Sequence, residues 1–391
     1  MEMQERHSTQ PLCRRPWIAM VLAGLALVLG GARAATAADC GQADIAYLGT
    51  DGSRIRALRF DACAGRLGAV TPAAEVDKPR WIVPHARLPL VYAAIDGSGK
   101  EGRVIAYAFD RASAALTRVN EVTAGGGGTT HLWLDTASMT LLAANFASGS
   151  VSSIAVNQNG SLGARLATLQ ATGSGPHRRQ ASAHAHGGAI DPSGRYALVA
   201  DMGADRVFVY GFDRTTGALS PDDASPPRTF ATVAGSGPRR AIFGASGRFV
   251  YVLNELSAQV LVLRWDPQDG RLTQVQSLAI SSPEFQGSKS ASEIAVSRDG
   301  RFIYVADRGE NALLAYRVHP EAGTLSLLQR LPSGGEAPWA FDIHPSGKWM
   351  LVANYRSNRM NLFGIDLQSG RLTDTAQAAE SPSPVSVSFI P

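Results

Sequence analysis

The stretch DPSGRYALVADMGADRVFVYGFDRTTGAL, residues 191–219, decides the fold. It opens on a turn phrase, Pro192-Ser-Gly-Arg195, and runs into a short apolar segment, Tyr196-Ala-Leu-Val-Ala200. A polar loop follows, then a second apolar segment, Val207-Phe-Val-Tyr210, and a second turn, Thr215-Thr-Gly-Ala218. Runs this short, rich in β-branched and aromatic residues and bounded by Gly, Pro and Asp, read as strands of an antiparallel sheet. Their continuous apolar character, without alternation, marks strands covered on both faces.

The phrase recurs along the chain. Further copies begin at Gly244, Ser297 and His344, with first strands Phe249-Val-Tyr-Val-Leu253, Phe302-Ile-Tyr-Val-Ala306 and Trp349-Met-Leu-Val-Ala353. Weaker copies surround His131-Leu-Trp-Leu134, Trp81-Ile-Val83 and Ile45-Ala-Tyr-Leu48. With Tyr47, Tyr92, Ala143, Val199, Val252, Val305 and Val352 taken as equivalent, the intervals are 45, 51, 56, 53, 53 and 47 residues. A period of about 50 with hairpin turns fits one four-stranded propeller blade per copy. The first copy lacks an inner strand before Asp44, and the chain ends on an unassigned strand, Val385-Ser-Val-Ser-Phe389. The expectation is an all-β, seven-bladed β-propeller of four-stranded antiparallel blades. Its C-terminal strand completes the first blade, so the ring closes without long open sheet edges. Solenoid rungs are shorter and lack the hairpins, and no Gly-His and Trp-Asp pair recurs as it would in a WD40 repeat.

Of 391 residues, 45% are hydrophobic and 18% charged, which excludes disorder, collagen-like sequence and coiled coil. Arg14 and Arg15 precede an apolar segment, residues 17–29, and the small-residue sequence Ala35-Thr-Ala37. This reads as a cleaved secretory signal over residues 1–37, leaving one propeller domain over 38–391. The apolar segment is too short for a comfortable membrane span. Cleavage removes Arg6, Arg14, Arg15, Arg33, Glu2 and Glu5, leaving 33 basic against 31 acidic side chains, a net +2. That balance gives no support to a nucleic-acid partner. A periplasmic or secreted monomer without stable membrane insertion is expected. Cys40 and Cys63 then remain, 23 positions apart, and in an oxidising compartment they read as a disulfide. Closing a loop of that size contributes roughly 3 kcal/mol.

In a propeller, residues just before and within the inner strands approach the central channel. The polar ones recur in Ser182-Ala-His-Ala-His-Gly-Gly188, Gly237-Pro-Arg-Arg-Ala241, Ser290-Ala-Ser-Glu-Ile294 and Ala337-Pro-Trp-Ala340, with Asn254-Glu255 and Asp307-Arg308 after the next strand. In His184-Ala-His186, Ala204-Asp-Arg-Val207, Gly237-Pro-Arg239, Val252-Leu-Asn-Glu-Leu256, Gly300-Arg-Phe-Ile-Tyr-Val305 with Asp307-Arg-Gly309, and Val352-Ala-Asn354, the sequence resembles the seven-bladed lactonase propellers. That family includes the 6-phosphogluconolactonase type and fungal carboxymuconate-lactonizing enzymes. The resemblance covers residues 44–391 and is strongest over 184–371. It implies a channel-mouth cluster of His186, Glu255, Arg239 and Arg308 handling a lactone. It departs at Arg240, where many members carry His after Gly-Pro-Arg, and this bears on the substrate.

Hydrolysing a lactone needs activated water, a stabilised oxyanion and a protonated leaving alkoxide. Glu255 or His186 can serve as the base, and Arg239 and Arg308 can hold developing charge or a substrate anion. Glu255 and Arg308 equally fit a structural ion pair between blades. His184 and Arg240 are candidate substrate-binding residues, although His184 can simply orient His186. His184 and His186 share one strand face, but two imidazoles make no metal site, and no metal or other cofactor is expected. The run Gly125 to Gly128 lacks the Lys-Ser or Lys-Thr of a phosphate loop and reads as a flexible connection. Pro176-His-Arg-Arg179 reads as a solvated loop or as an extension of an anion-binding rim. The function expected is an exported sugar lactonase, 6-phosphogluconolactonase-like. The alternatives are a carboxymuconate-type lactonizing cycloisomerase and a noncatalytic propeller that binds an envelope component.

Overall fold

The computed structural model describes residues 43–390. Among them there are 29 strands in seven antiparallel sheets. No helix among these residues is long and apolar enough to cross a membrane. Six sheets run in chain order from an inner strand outward, the inner strands being Pro79–Pro84, Thr129–Asp135, Ala185–Ile190, Pro238–Phe243, Ala291–Val296 and Pro338–Ile343. We number these blades 2 to 7. Blade 1 holds Asp44–Thr50, Arg54–Asp61 and Arg66–Glu75, and takes its inner strand, Pro384–Phe389, from the C-terminus. Successive inner strands touch one another all the way round, and Pro384–Phe389 contacts both Pro338–Ile343 and Pro79–Pro84. The seven-bladed ring and its closure are as the repeats predict.

Burial follows from this arrangement. Second strands such as Leu90–Ile95, Phe249–Asn254 and Phe302–Asp307 are buried throughout, because each sheet is covered on both faces by its neighbours. Outer strands such as Leu372–Glu380 alternate toward solvent. The apolar side chains form seven main clusters, each shared by two adjacent blades, and one of them joins Leu351, Met360 and Leu362 of blade 7 to Leu48, Phe60 and Val387 of blade 1. The strand register aligns Tyr47 and Tyr92 with Tyr251 and Tyr304, one residue before the Val252 and Val305 taken as equivalent from sequence, and these four buried tyrosines lock blades together. The hydroxyls of Tyr47, Tyr92, Tyr251 and Tyr304 donate to the carbonyls of Ala114, Gly160, Gly323 and Gly370, each in the following blade.

The recurring turn phrase has a physical cause. Asp191 Oδ1 accepts the amides of Arg195 and Tyr196, while its Oδ2 accepts Ser193 Oγ, closing the turn between inner and second strands. The glycine of the phrase has a positive φ in every strong copy, 74° at Gly194, 67° at Gly247, 73° at Gly300 and 74° at Gly347, where a side chain would be strained.

Two details differ from the sequence reading. Gly125 to Gly128 is no flexible connection, because Gly125–Gly127 end a paired outer strand. A Cβ on Gly126 would come within 2.3 Å of the hydroxyls of Ser148 and Ser150, so the run is glycine because neighbouring chain lies against it. Blade 4 also has a split outer edge, with Ala218–Ser220 and Phe230–Ala231 pairing separately with Arg206–Asp213. The proposed signal and Cys40 lie outside the described residues. Cys63 is disulfide-bonded.

Candidate active site

The site is built by a defect repeated around the ring. Near the start of each inner strand the pairing register slips by one residue, at Arg80, Thr130, His186, Arg239, Ser292, Trp339 and Val385. Such a bulge adds one unpaired residue and re-aims its side chain. Six of the seven line a single cavity of about 310 Å³ at the channel mouth, and the seventh, Ser292, gives its carbonyl to Arg239 Nε. A second ring of residues follows the ends of the second strands and supplies Asp51, Asp96, Phe146, Glu255 and Arg308 to the same cavity. The amide of Glu255 donates to the Gly237 carbonyl at 2.7 Å, tying the two rings together within blade 5.

Glu255 is the hub, only 1% exposed. Its Oε1 accepts from Arg308 Nη2 at 2.8 Å and Arg179 Nη1 at 2.6 Å, and its Oε2 accepts from Arg239 Nη1 at 2.9 Å. His186 Nε2 lies 3.9 Å from Oε2 and accepts a hydrogen bond from Arg239 Nη1. Arginine can only donate, so Nε2 accepts from Arg239 with its lone pair, while Arg240 Nη1 lies 3.4 Å from Nδ1. The Arg308 guanidinium lies 4.3 Å from the Trp339 ring centre and is held by Ser290 Oγ at 2.8 and 3.0 Å.

The four residues singled out by sequence, His186, Arg239, Glu255 and Arg308, therefore meet in one cavity although they span blades 4 to 6. Arg179 joins them. Its loop is pinned by buried Gln180, whose Nε2 donates to the Met202 carbonyl at 2.8 Å and whose Oε1 accepts the His177 amide. All three of His177, Arg178 and Arg179 are exposed, but Arg179 alone of them lines the cavity and pairs with Glu255, so the rim reading fits that residue.

Arg240 lines the cavity, but its donors are spoken for. It forms a two-pronged pair with Glu293 at 2.9 and 3.0 Å, donates to the His186 carbonyl at 3.0 Å and lies over Trp81. A Cβ on Gly187 would fall 2.7 Å from Arg240 Nη1, so glycine there lets the guanidinium cross the neighbouring strand. His184 is not among the residues lining the cavity. Its Nδ1 bonds to the Phe146 carbonyl at 2.8 Å and its ring stacks on Phe146, which does line it. His184 lies just before this bulged strand and, unlike His186, does not line the cavity, a placement that suits the orienting role more than direct substrate contact. Among the described residues no three His, Cys, Asp or Glu gather as a metal site.

The electrostatics separate the two candidate bases. Burial alone would push the Glu255 carboxyl up, but Arg308 and Arg239, with Arg179 beyond them, hold it well below the usual carboxylate range. It is ionised and its oxygens are committed. Burial lowers His186 well below the ordinary imidazole value, and Arg239 and Arg240 lower it further, while Glu255 opposes them. It is neutral at pH 7, with its Nε2 lone pair held by Arg239.

Fold and cavity together define a seven-bladed propeller with a guanidinium-rich cluster suited to stabilising an oxyanion. The sequence model of the family described as "Lactonase, 7-bladed beta-propeller" matches residues 44–389, and the chain belongs to that family. It is 30% identical over 350 residues to a protein named 6-phosphogluconolactonase from Bacillus subtilis, covering 88% of this chain and 98% of the relative. It is 28% identical over 326 residues to the 6-phosphogluconolactonase of Pectobacterium carotovorum, covering 83% and 93%. Among solved structures, the periplasmic gluconolactonase of Pseudomonas aeruginosa superposes with a TM-score of 0.82 at 32% identity, over 90% of this chain and 99% of that one.

Proposed function

We propose that this chain is an exported lactonase that hydrolyses a sugar lactone by water attack at the ring carbonyl. The observation that carries this is the neutral imidazole of His186 beside a carboxylate that three arginines keep ionised, all in one cavity at the channel mouth. Water takes the place of Arg239 on His186 Nε2 and gives up its proton there. The imidazolium so formed is steadied through space by the Glu255 charge, whose Oε2 lies 3.9 Å from the newly protonated Nε2. Arg239, Arg308 and Arg179 face the carbonyl oxygen as it becomes an oxyanion, and His186 returns the proton to the leaving alkoxide. The names of the B. subtilis and P. aeruginosa relatives support a gluconolactone or its 6-phosphate as the substrate. A periplasmic relative, the signal-like N-terminus and a disulfide-bonded Cys63 suit an oxidising, exported setting.

The test is pH-stat hydrolysis of glucono-1,5-lactone and its 6-phosphate, with the spontaneous rate subtracted. His186→Ala is expected to lower kcat/KM by about 10² or more, the usual worth of a positioned base. No enzymatic rate on either lactone removes the lactonase reading and favours a cycloisomerase or a binding propeller. The pH profile is a separate check. The neutral ring is the active form and its pKa is lowered, so the rate holds as pH falls from 7.5 to 6 and declines only well below the ordinary imidazole value of 6.5. A half-maximal rate at or above pH 6.5 contradicts His186 as the base.

A further inference from the structure

The wall of the cavity opposite Glu255 carries a second charged group that the proposed chemistry does not use. Arg80 is the bulged residue of blade 2, and in a ring of seven, blade 2 stands three blades from blade 5, as far as the ring allows. Arg80 Nη2 pairs with Asp51 Oδ1 at 2.9 Å, and its Nε pairs with Asp96 Oδ2 at 2.9 Å. Tyr355 donates its hydroxyl to Asp51 Oδ2 at 3.2 Å, and the Ser98 amide reaches Asp96 Oδ1 at 3.2 Å. All three charged side chains line the cavity and remain 21–30% exposed.

The charges of the two walls differ in sign. Three guanidiniums surround one carboxylate at Glu255, whereas at Arg80 two carboxylates outnumber one guanidinium. The positive wall suits the carbonyl oxygen and the carboxylate product. The far end of the same substrate then meets carboxylates fixed on one side by Arg80, each with lone pairs free to accept from hydroxyl groups. A dianionic phosphate there would face Asp51 and Asp96, while Arg80, the cation that lines this wall, is already paired with both. Like-charge contact of this kind excludes a ligand more strongly than lost contacts do.

Resting on the lactonase reading, we infer that Asp51, Arg80 and Asp96 form a hydroxyl-recognising wall that selects an unphosphorylated aldonolactone and rejects its 6-phosphate. Arg80 sets the carboxylates in place and is itself withheld from phosphate. The device is a matter of binding, so it acts on KM and on the ratio between substrates more than on kcat.

The experiment compares kcat/KM for glucono-1,5-lactone and 6-phosphoglucono-1,5-lactone in the wild type, in Asp51→Asn, Asp96→Asn and the double variant, and in Arg80→Met. The wild type is expected to favour the unphosphorylated lactone by about tenfold or more. The double variant frees Arg80 and is expected to move the ratio toward the phosphorylated lactone by about tenfold or more, whereas Arg80→Met moves it the other way. If the double variant does not melt cooperatively, the Asp96→Asn ratio decides. A wild type that prefers the phosphorylated lactone, or a ratio that none of these substitutions moves, overturns the wall while leaving the lactonase intact. A wild type that hydrolyses neither lactone overturns the lactonase reading and the wall with it.

Discussion

Glu255→Gln is expected to lower kcat/KM on the preferred lactone by about 10³ or more, with the loss in kcat. The amide has the carboxylate's shape but cannot carry its charge. In the native site that charge faces three guanidiniums and lies 3.9 Å from the ring that must accept a proton. Without it, the imidazolium forms among uncompensated cations, and one amide nitrogen points a donor at another donor. Glu255 raises the proton affinity of His186, so its removal moves the acid limb of the pH profile further down. KM for the uncharged lactone holds, because the substitution changes the charge beside the reacting carbonyl and leaves the hydroxyl-binding wall intact. This division between kcat and KM separates a charge partner from a scaffold residue, whose loss would raise KM or act through folding alone. Stability also drops, by about 3 kcal/mol, because breaking a buried ion pair strands its partners. Urea denaturation reads that cost independently of turnover. An enzyme whose turnover is unchanged by this substitution does not use the cluster described here.

The repeat phrase carried most of the fold. Short apolar strands separated by turns that end in Ser-Gly or Asp-Gly leave one reading open, and the missing first strand together with the spare last one points to closure. The site was legible only in part, for a reason of register. His186, Arg239, Glu255 and Arg308 stand in phrases that mark a family, whereas Arg80, Asp51 and Asp96 stand in weak copies that no phrase distinguishes. Alignment of the inner strands on their opening residues, Pro79, Pro238, Pro338 and Pro384, puts Arg80, Arg239, Trp339 and Val385 at one position. The bulge that turns this position into the cavity leaves no mark in hydrophobic pattern, since it changes hydrogen bonding without changing composition. Arg179 was hidden differently. A basic run in a polar loop normally faces water, and nothing local to residues 176–179 reveals a carboxylate 76 positions away.

Terminating the chain after Ser383 is expected to abolish cooperative folding. The lost strand, Pro384–Phe389, is the inner strand of blade 1 and lies between the inner strands of blades 7 and 2. Val385, Val387, Phe389 and Ile390 are each no more than 4% exposed. At roughly 1.5–3 kcal/mol per buried apolar side chain, their loss is on the order of 6–12 kcal/mol, comparable to the whole stability of a typical domain. Phe389 packs against Phe60 at 5.7 Å and His344 at 4.9 Å, so its removal opens the cluster that joins the last blade to the first. The Phe389 amide also donates to Asp342 Oδ2 at 2.9 Å, so truncation leaves this carboxyl, which burial raises to about 7, with the Ile343 amide on its other oxygen. Strand Asp44–Thr50 is left with an unpaired edge facing the channel, which invites association with another chain. Circular dichroism melts and size-exclusion chromatography read both consequences, as a lost transition and an aggregated product. A truncated chain that stays monomeric and melts near the wild-type temperature would show that the six complete blades hold the ring without its closing strand.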